Sequence, residues 1–508
     1  MKRSSFASSV FALALGSCVL SAPTVFAADK CVRVLGYESD GEKQTMDPAA
    51  LIGTDSVYHI RAIYEPLVDR SNTMLPIPVL AQSWESNPDA TEWTFHLREG
   101  VKFHDGSDFD AADVVYSYRR LLDPAVSPGG FSTLSFLDPA GITAVDKYTV
   151  RFKVKSPVVE LPMLIATKYA LMVPEGAKSA DLRIKGNGTG PFIQQTFATN
   201  GPMRVLRRNP DYWSAGLPKA DCLEITTSLE ATSRLSALLS GSIDLSLVVD
   251  PASLITLKGN PAVDLVSTPG ATSLYLAVWT DTAPFDDVRV REALKLVMDR
   301  QTILNTVLLS YGEVGGDTPI PPSSPLSLQT PPKEPDIKRA KTLLAEAGHP
   351  DGIAFDLYTS DSYPGMLLLA QVYAQMAASA GIKVNVITSP AEGYWDTIWL
   401  KKPAVISYTS ARPPAEALTL SLNSQSEWNE THWKRADFDA LVVKAGQTAD
   451  EQARNTLYRE AQRMVAQEGG MILPVFSSVV AGLRKGCTGY SPNVDVNRIN
   501  YAQLSCAQ

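Results

Sequence analysis

Histidine and cysteine are both scarce in this chain, with five of each in 508 residues. No Cys-x-x-Cys pair or Cys/His spacing of the zinc-holding kind occurs, and a site of several converging imidazoles has too little material. There is no Gly-x-Ser-x-Gly elbow and no His-Glu-x-x-His segment, which removes two common hydrolase designs. Positive charge is not in excess: 46 Lys and Arg stand against 54 Asp and Glu. Phosphate neutralisation needs clustered cations, so nucleic acid is excluded as a partner. Beyond the first residues, no stretch approaches 18 uninterrupted apolar positions, so no later membrane-spanning helix is expected.

What remains is the composition of a water-soluble globular chain, 45% hydrophobic and 20% charged. At about 150 residues per domain, the length suggests roughly three packed units. The N-terminus is different in kind. Lys2 and Arg3 precede the apolar stretch Val10–Leu20, which is too short to cross a bilayer comfortably. Val25-Phe26-Ala27 then fits a small-x-small cleavage site, so residues 1–27 are expected to be a removed export signal. Leu15-Gly16-Ser17-Cys18 also resembles a lipoprotein box that would anchor the chain through Cys18. The apolar run continues past Cys18, which favours cleavage after Ala27. Removal deletes two cations and no acid, taking the formal charge from −8 to −10.

Four cysteines survive cleavage: Cys31, Cys222, Cys487 and Cys506. In an oxidising compartment they permit two disulfides in three pairings. Cys487–Cys506 would staple the C-terminal tail and Cys31–Cys222 would join two predicted strands; four buried thiols are the alternative.

The pattern along the chain is mixed. Cys31–Tyr37 and Trp93–Arg98 read as strands, the second by its alternation. A helix is expected near Asp55–Leu67, and another from Asp110, with Asp113 completing a capping box. Asn200-Gly201 between Phe192–Gln195 and Met203–Arg207 signals a hairpin. The apolar spacing of Val290, Ala293, Leu294, Val297 and Met298 predicts one long helix over Asp286–Leu308. Further helices are expected at Thr232–Ser240, Asp336–Ala347, Gly365–Ser379 and Asp450–Gln467, the last capped by Thr448. Strands Ile382–Ile387 and Met471–Phe476 follow two of them. This order implies mixed α/β lobes.

Several segments carry a resemblance that covers nearly the whole mature chain. They are Leu80-Ala81-Gln82-Ser83-Trp84-Glu85, Trp93 through Gly106, Ala112-Asp113-Val114 and Gly188-Thr189-Gly190-Pro191-Phe192. Arg208 through Trp213 and Pro284 through Leu294 complete the set. Together the chain resembles the peptide/nickel (family 5) solute-binding proteins of ABC importers, including the dipeptide- and oligopeptide-binding proteins. The resemblance implies an α/β, two-lobed periplasmic-binding-protein fold, type II-like, with three subdomains, mixed sheets and crossover strands. The first lobe would combine 28–70, 186–275 and 482–508, the extra subdomain would be 71–185, and the second lobe 276–481. It implies a periplasmic monomer without cofactor or catalysis, capturing a peptide or peptide-like polar solute by lobe closure for an ABC permease. An opine-like conjugate, a carbohydrate, and a sensory role in place of transport are the alternatives.

Peptide-binding relatives hold a ligand ammonium with an aspartate in a loop that corresponds here to Ser407 through Pro414. That aspartate's position falls on Ala411, with the cation Arg412 beside it. A buried ammonium without a carboxylate would cost several kcal/mol, so free peptides require Glu416 or Asp361 to substitute. Arg412 could instead grip a ligand carboxylate with its planar fork, or be a surface arginine. Tyr408 and Ser410 belong to the same loop. Trp279, Tyr394 and Trp395 are candidate ring platforms, or lobe core. Asp55 and Ser56 would face the cleft from the first lobe, although helix capping also explains them. Gly188-Thr189-Gly190 is not a phosphate loop, since a hairpin follows it and no Lys-Ser/Thr completes it. The five histidines do not converge by spacing, and no metal is expected.

Overall fold

The computed structural model describes residues 31–37, 45–51, 55–197, 204–228, 230–329 and 331–507. The expected leader and the Asn200-Gly201 turn lie outside the described residues.

An eleven-stranded sheet runs through most of the described chain. At one end Ile382–Ser389, Ile353–Ser360 and Ala404–Thr409 lie side by side; at the other are Val32–Gly36, Cys222–Thr227, Arg204–Arg208 and Phe192–Phe197. Two long antiparallel strands, Val263–Val278 and Met471–Arg484, join the two ends. Their register is interrupted between Thr268 and Thr272. Gly270 sits in that interruption, where a Cβ would come within 1.8 Å of the Ser477 carbonyl oxygen. Only glycine lets the two backbones approach so closely at the crossing between lobes.

Alternation along these strands divides the second lobe into two cores. Leu274, Leu276 and Val278 face one layer of helices with Ile406, while Tyr275, Ala277 and Val405 face the other with Phe438 and Tyr458. Strands covered on both faces are apolar throughout, as a sheet between two helical layers requires. Val32, Val34, Leu223 and Ile225 build the core of the first lobe. A third core surrounds the separate four-stranded antiparallel sheet of Ala81–Ser86, Glu92–Leu97, Thr149–Val154 and Leu137–Asp146.

Local signals place most elements. Asp110 caps Ala111–Leu121, and Asp113 returns the bond in a capping box. The expected helix Asp286–Leu308 is instead two, Val288–Leu296 and Arg300–Val307, because Asp299 accepts from the Thr302 backbone and starts a new helix. Thr448 is not the cap of the late helix; Asp450 caps Glu451–Glu468 by accepting from the Ala453 backbone. The first helix ends at Ile63 rather than running on to Leu67. Cys31 is bonded to Cys222 and Cys487 to Cys506. The first bond ties neighbouring parallel strands at their starts, and the second closes the tail back on itself.

Candidate functional site

The strand Ala404–Thr409 points out of the second-lobe sheet, and the chain then passes through Ser410, Ala411 and Arg412 into two prolines. Pro413 has φ −53° and ψ 145°, and Pro414 opens the helix Pro414–Leu420. A residue before proline is steered away from helical geometry, so this loop stays extended and reaches toward the first lobe. Ala411 there packs against Met74, Met163 and Val494. The position expected to carry an aspartate therefore meets an apolar patch.

Arg412 sits at the seam between the lobes. Its Nη1 pairs with Glu416 one helical turn on, while its buried Nε has no partner. Facing it are Asn72, Thr73, Met74 and Val494 of the opposite wall, around a space of about 10 Å³, close to the size of one water. Tyr458 Oη also crosses between the units, donating to Glu160 at 2.7 Å.

The opposite wall is positively charged. Asp69 pairs with both Arg61 and Arg498, and Arg498 pairs with Asp495 at 3.1 Å. Arg70 donates to the Met163 carbonyl, at 3.2 Å from Nε and 3.0 Å from Nη2, and feels the charges of Arg412 and Glu416. Lys168 lies near Asp495. Four cations thus gather around Asp69 and Asp495, with Glu65 also acting on Arg61 and Glu416 on Arg70. Burial pulls Arg61 down to about 10, and burial with the nearby Arg61 pulls Arg498 to about 9. Both directions follow from taking a cation out of water.

Arg412 also borders a second cavity of about 330 Å³ inside the second lobe, with Trp395, Trp399, Tyr408, Ser410 and Trp428 on its walls. Glu430 completes it. This carboxylate is 3% exposed, and it accepts from Tyr275 Oη, from Trp399 Nε1 at 2.8 Å and from Ser407.

Of the residues expected from sequence, Arg412, Tyr408, Ser410 and Trp395 come together here. Tyr394 does not line the cavity: it is fully buried, its hydroxyl donating to the carbonyls of Ile406 at 2.8 Å and Tyr358 at 3.2 Å. Trp279 is at the wrong end of its strand. The register sets Ser273 opposite Thr409 at the seam and Val278 opposite Ala404, so Trp279 lies about 20 Å away along the strand. It stacks on His432 at 4.1 Å instead. Ser56 is buried and accepts from the Thr45 backbone, so it faces its own lobe rather than the cleft. Asp55 begins the helix Asp55–Ile63, and its side chain lies outside the described residues. Glu416 is occupied by Arg412, and Asp361 borders a separate hollow beside Tyr363. Trp399, Trp428 and Glu430 are additions. Glu430 stands within Asn429-Glu430-Thr431-His432-Trp433, and no local pattern there marks it as a cavity residue.

Two lobes bridged by a pair of crossing strands, with cavities at and beside the seam, define a solute-binding architecture. The chain belongs to the bacterial extracellular solute-binding proteins, family 5, whose model matches residues 76–443. It is 30% identical to heme-binding protein A of Haemophilus influenzae, over 87% of each chain. It is 27% identical to di/tripeptide-binding protein 1 of Pseudomonas aeruginosa, over 93% of each. The solved structure of HbpA2 from Haemophilus parasuis superposes with a TM-score of 0.81 at 23% identity, covering 94% of this chain and 100% of that one. No helix among the described residues is long and apolar enough to cross a membrane.

Proposed function

We propose that the chain is exported, captures an anionic peptide-like solute at the seam between its lobes, and delivers it to an ABC permease. The observation that carries this reading is the closeness of Arg412 to Arg70, one of four cations, with Arg61, Lys168 and Arg498, gathered around Asp69 and Asp495. A carboxylate entering there meets the unpartnered Nε of Arg412 and relieves the surplus charge, and ionised hydrogen bonds of this kind are about twice as strong as neutral ones. A solute touching both walls has more contacts when the lobes are together, so it shifts the population toward closure by its differential affinity. The permease can then sense loading by shape.

The peptide-binding relative supports a peptide-like cargo, yet Ala411 among Met74, Met163 and Val494 offers nothing to a free ammonium. The heme-binding relative raises porphyrin as a second reading. None of the five histidines borders the space at the seam or the cavity beside it, which favours the carboxylate-bearing solute.

Mass spectrometry of the compound stripped from freshly purified protein tests this directly. A carboxylate-bearing solute whose amine is absent, acylated or remote from that carboxylate is expected. A neutral sugar or a porphyrin would overturn the anionic reading.

A further inference from the structure

The 330 Å³ cavity in the second lobe has a construction that a carboxylate-binding seam does not explain. Its rings meet edge to face in succession. Trp395 and Tyr408 are 5.4 Å apart at 72°, Trp395 and Trp399 are 6.0 Å apart at 74°, and Trp399 and Trp428 are 5.6 Å apart at 90°. Rings turned through such angles form walls and corners rather than a stack. Tyr363 lies flat against Tyr408 at 3.9 Å and 12°, steadying that wall. Trp428 remains 47% exposed, unusual for so large an apolar side chain with neighbours of its own kind at hand.

Glu430 supplies the charge. All three of its donors, Tyr275, Ser407 and Trp399, are neutral, and no Lys or Arg pairs with it among the described residues. Arg412, the one cation on the cavity's lining, is paired with Glu416. A carboxylate so deeply buried without a counter-charge is costly. Burial accordingly pushes its pKa above the ordinary carboxylate value, against the three hydrogen bonds that pull it down. A ligand cation would remove that cost.

We propose that this cavity is a cation box for the solute, in which Trp395, Trp399, Tyr408 and Trp428 present ring faces to an alkylated ammonium or guanidinium head and Glu430 supplies its counter-charge. Electron-rich ring faces attract such weakly hydrated cations, and the attraction grows when water is excluded. The inference rests on the seam as the place of capture and names the solute more closely. Its carboxylate lies toward Arg412 and its organic cation toward Glu430, with Arg412 bordering both spaces.

The test uses the full mature protein and small probes that reach the box alone: choline, methylguanidinium, and dimethylbutanol, the uncharged carbon isostere of choline. Binding is followed by tryptophan fluorescence and by ligand-observed NMR. At least one of the two cations is expected to bind about tenfold more tightly than the alcohol, and which of them does so distinguishes an ammonium head from a guanidinium head. Glu430→Gln should abolish that preference. Trp428→Ala, at an exposed position whose loss leaves the fold in place, should weaken cation binding if the Gln variant fails to fold. Equal affinity for cations and alcohol, no binding of any probe, or a preference that survives both substitutions would overturn the proposal. Failure of the seam reading is seen separately, because compaction by carboxylate-bearing solutes does not depend on the probes.

Discussion

Glu65 and Glu430 are buried carboxylates with the same kinds of partner and different surroundings. Glu65 accepts from Thr189 Oγ1 at 2.9 Å, Tyr212 Oη at 2.7 Å and Trp213 Nε1 at 2.9 Å. Glu430 likewise accepts from a hydroxyl, a tyrosine and a tryptophan. Burial raises both above the ordinary carboxylate value, but only Glu65 has a cation, Arg61, acting on it. Close packing surrounds Glu65. Gly188 and Gly190 press against the Ile63 backbone, Arg98 lies over Trp213 at 4.3 Å, and His104 meets the Gly190 carbonyl at 2.9 Å. Glu430 borders a cavity. Matched donors thus stand in two settings: one carboxylate is enclosed by close-packed chain, and the other borders open space.

That contrast is broken most easily at Glu65. Glu65→Ala strands three donors, the buried Thr189 and the half-buried Tyr212 and Trp213, and should lower stability by about 3–5 kcal/mol in urea titration. Glu430→Gln keeps an acceptor and removes an uncompensated charge, so its stability should change by less than about 1 kcal/mol, and upward. Equal losses at the two sites would erase the distinction.

The joint should also be acid-sensitive. Burial pulls His104 down from the ordinary histidine value of about 6.5 to about 4. A base depressed in the folded state gives its full stabilisation above its unfolded pKa and loses it as pH falls. Thermal melts should therefore decline between about pH 6.5 and 4, by up to about 3 kcal/mol, with a shallower slope in His104→Gln. An unchanged slope in that variant would assign the acid loss elsewhere.

On the ligand side the expected effect is smaller in stability and visible in binding. Arg412→Ala should weaken the stripped solute about 10- to 100-fold by calorimetry, with no comparable fall in melting temperature. Unchanged affinity would remove Arg412 from the site.

Much of the joint was legible because its residues are close in sequence. Asp110 with Asp113, and Arg208 through Trp213, are local patterns with local causes. The divided helix at Asp299 was hidden because Val290, Leu294 and Ile303 of both pieces enter one core, so the apolar spacing reads straight through the cap. The cavity was less legible. Arg412 and Tyr408 follow from a loop beside a strand, but the distance of Trp279 from the seam depends on strand register, which no periodicity reveals. Glu430 reaches Trp399 and Tyr275 across 31 and 155 residues of chain.

Small-angle X-ray scattering on the mature protein, first stripped and then resupplied with its own solute, is the most direct measurement of capture at the seam. If Arg412 and the cationic wall enclose the solute together, the radius of gyration falls on resupply. In Arg412→Ala the fall requires higher solute concentrations. A scattering curve identical with and without solute, at concentrations where calorimetry shows the site filled, would contradict capture by lobe closure.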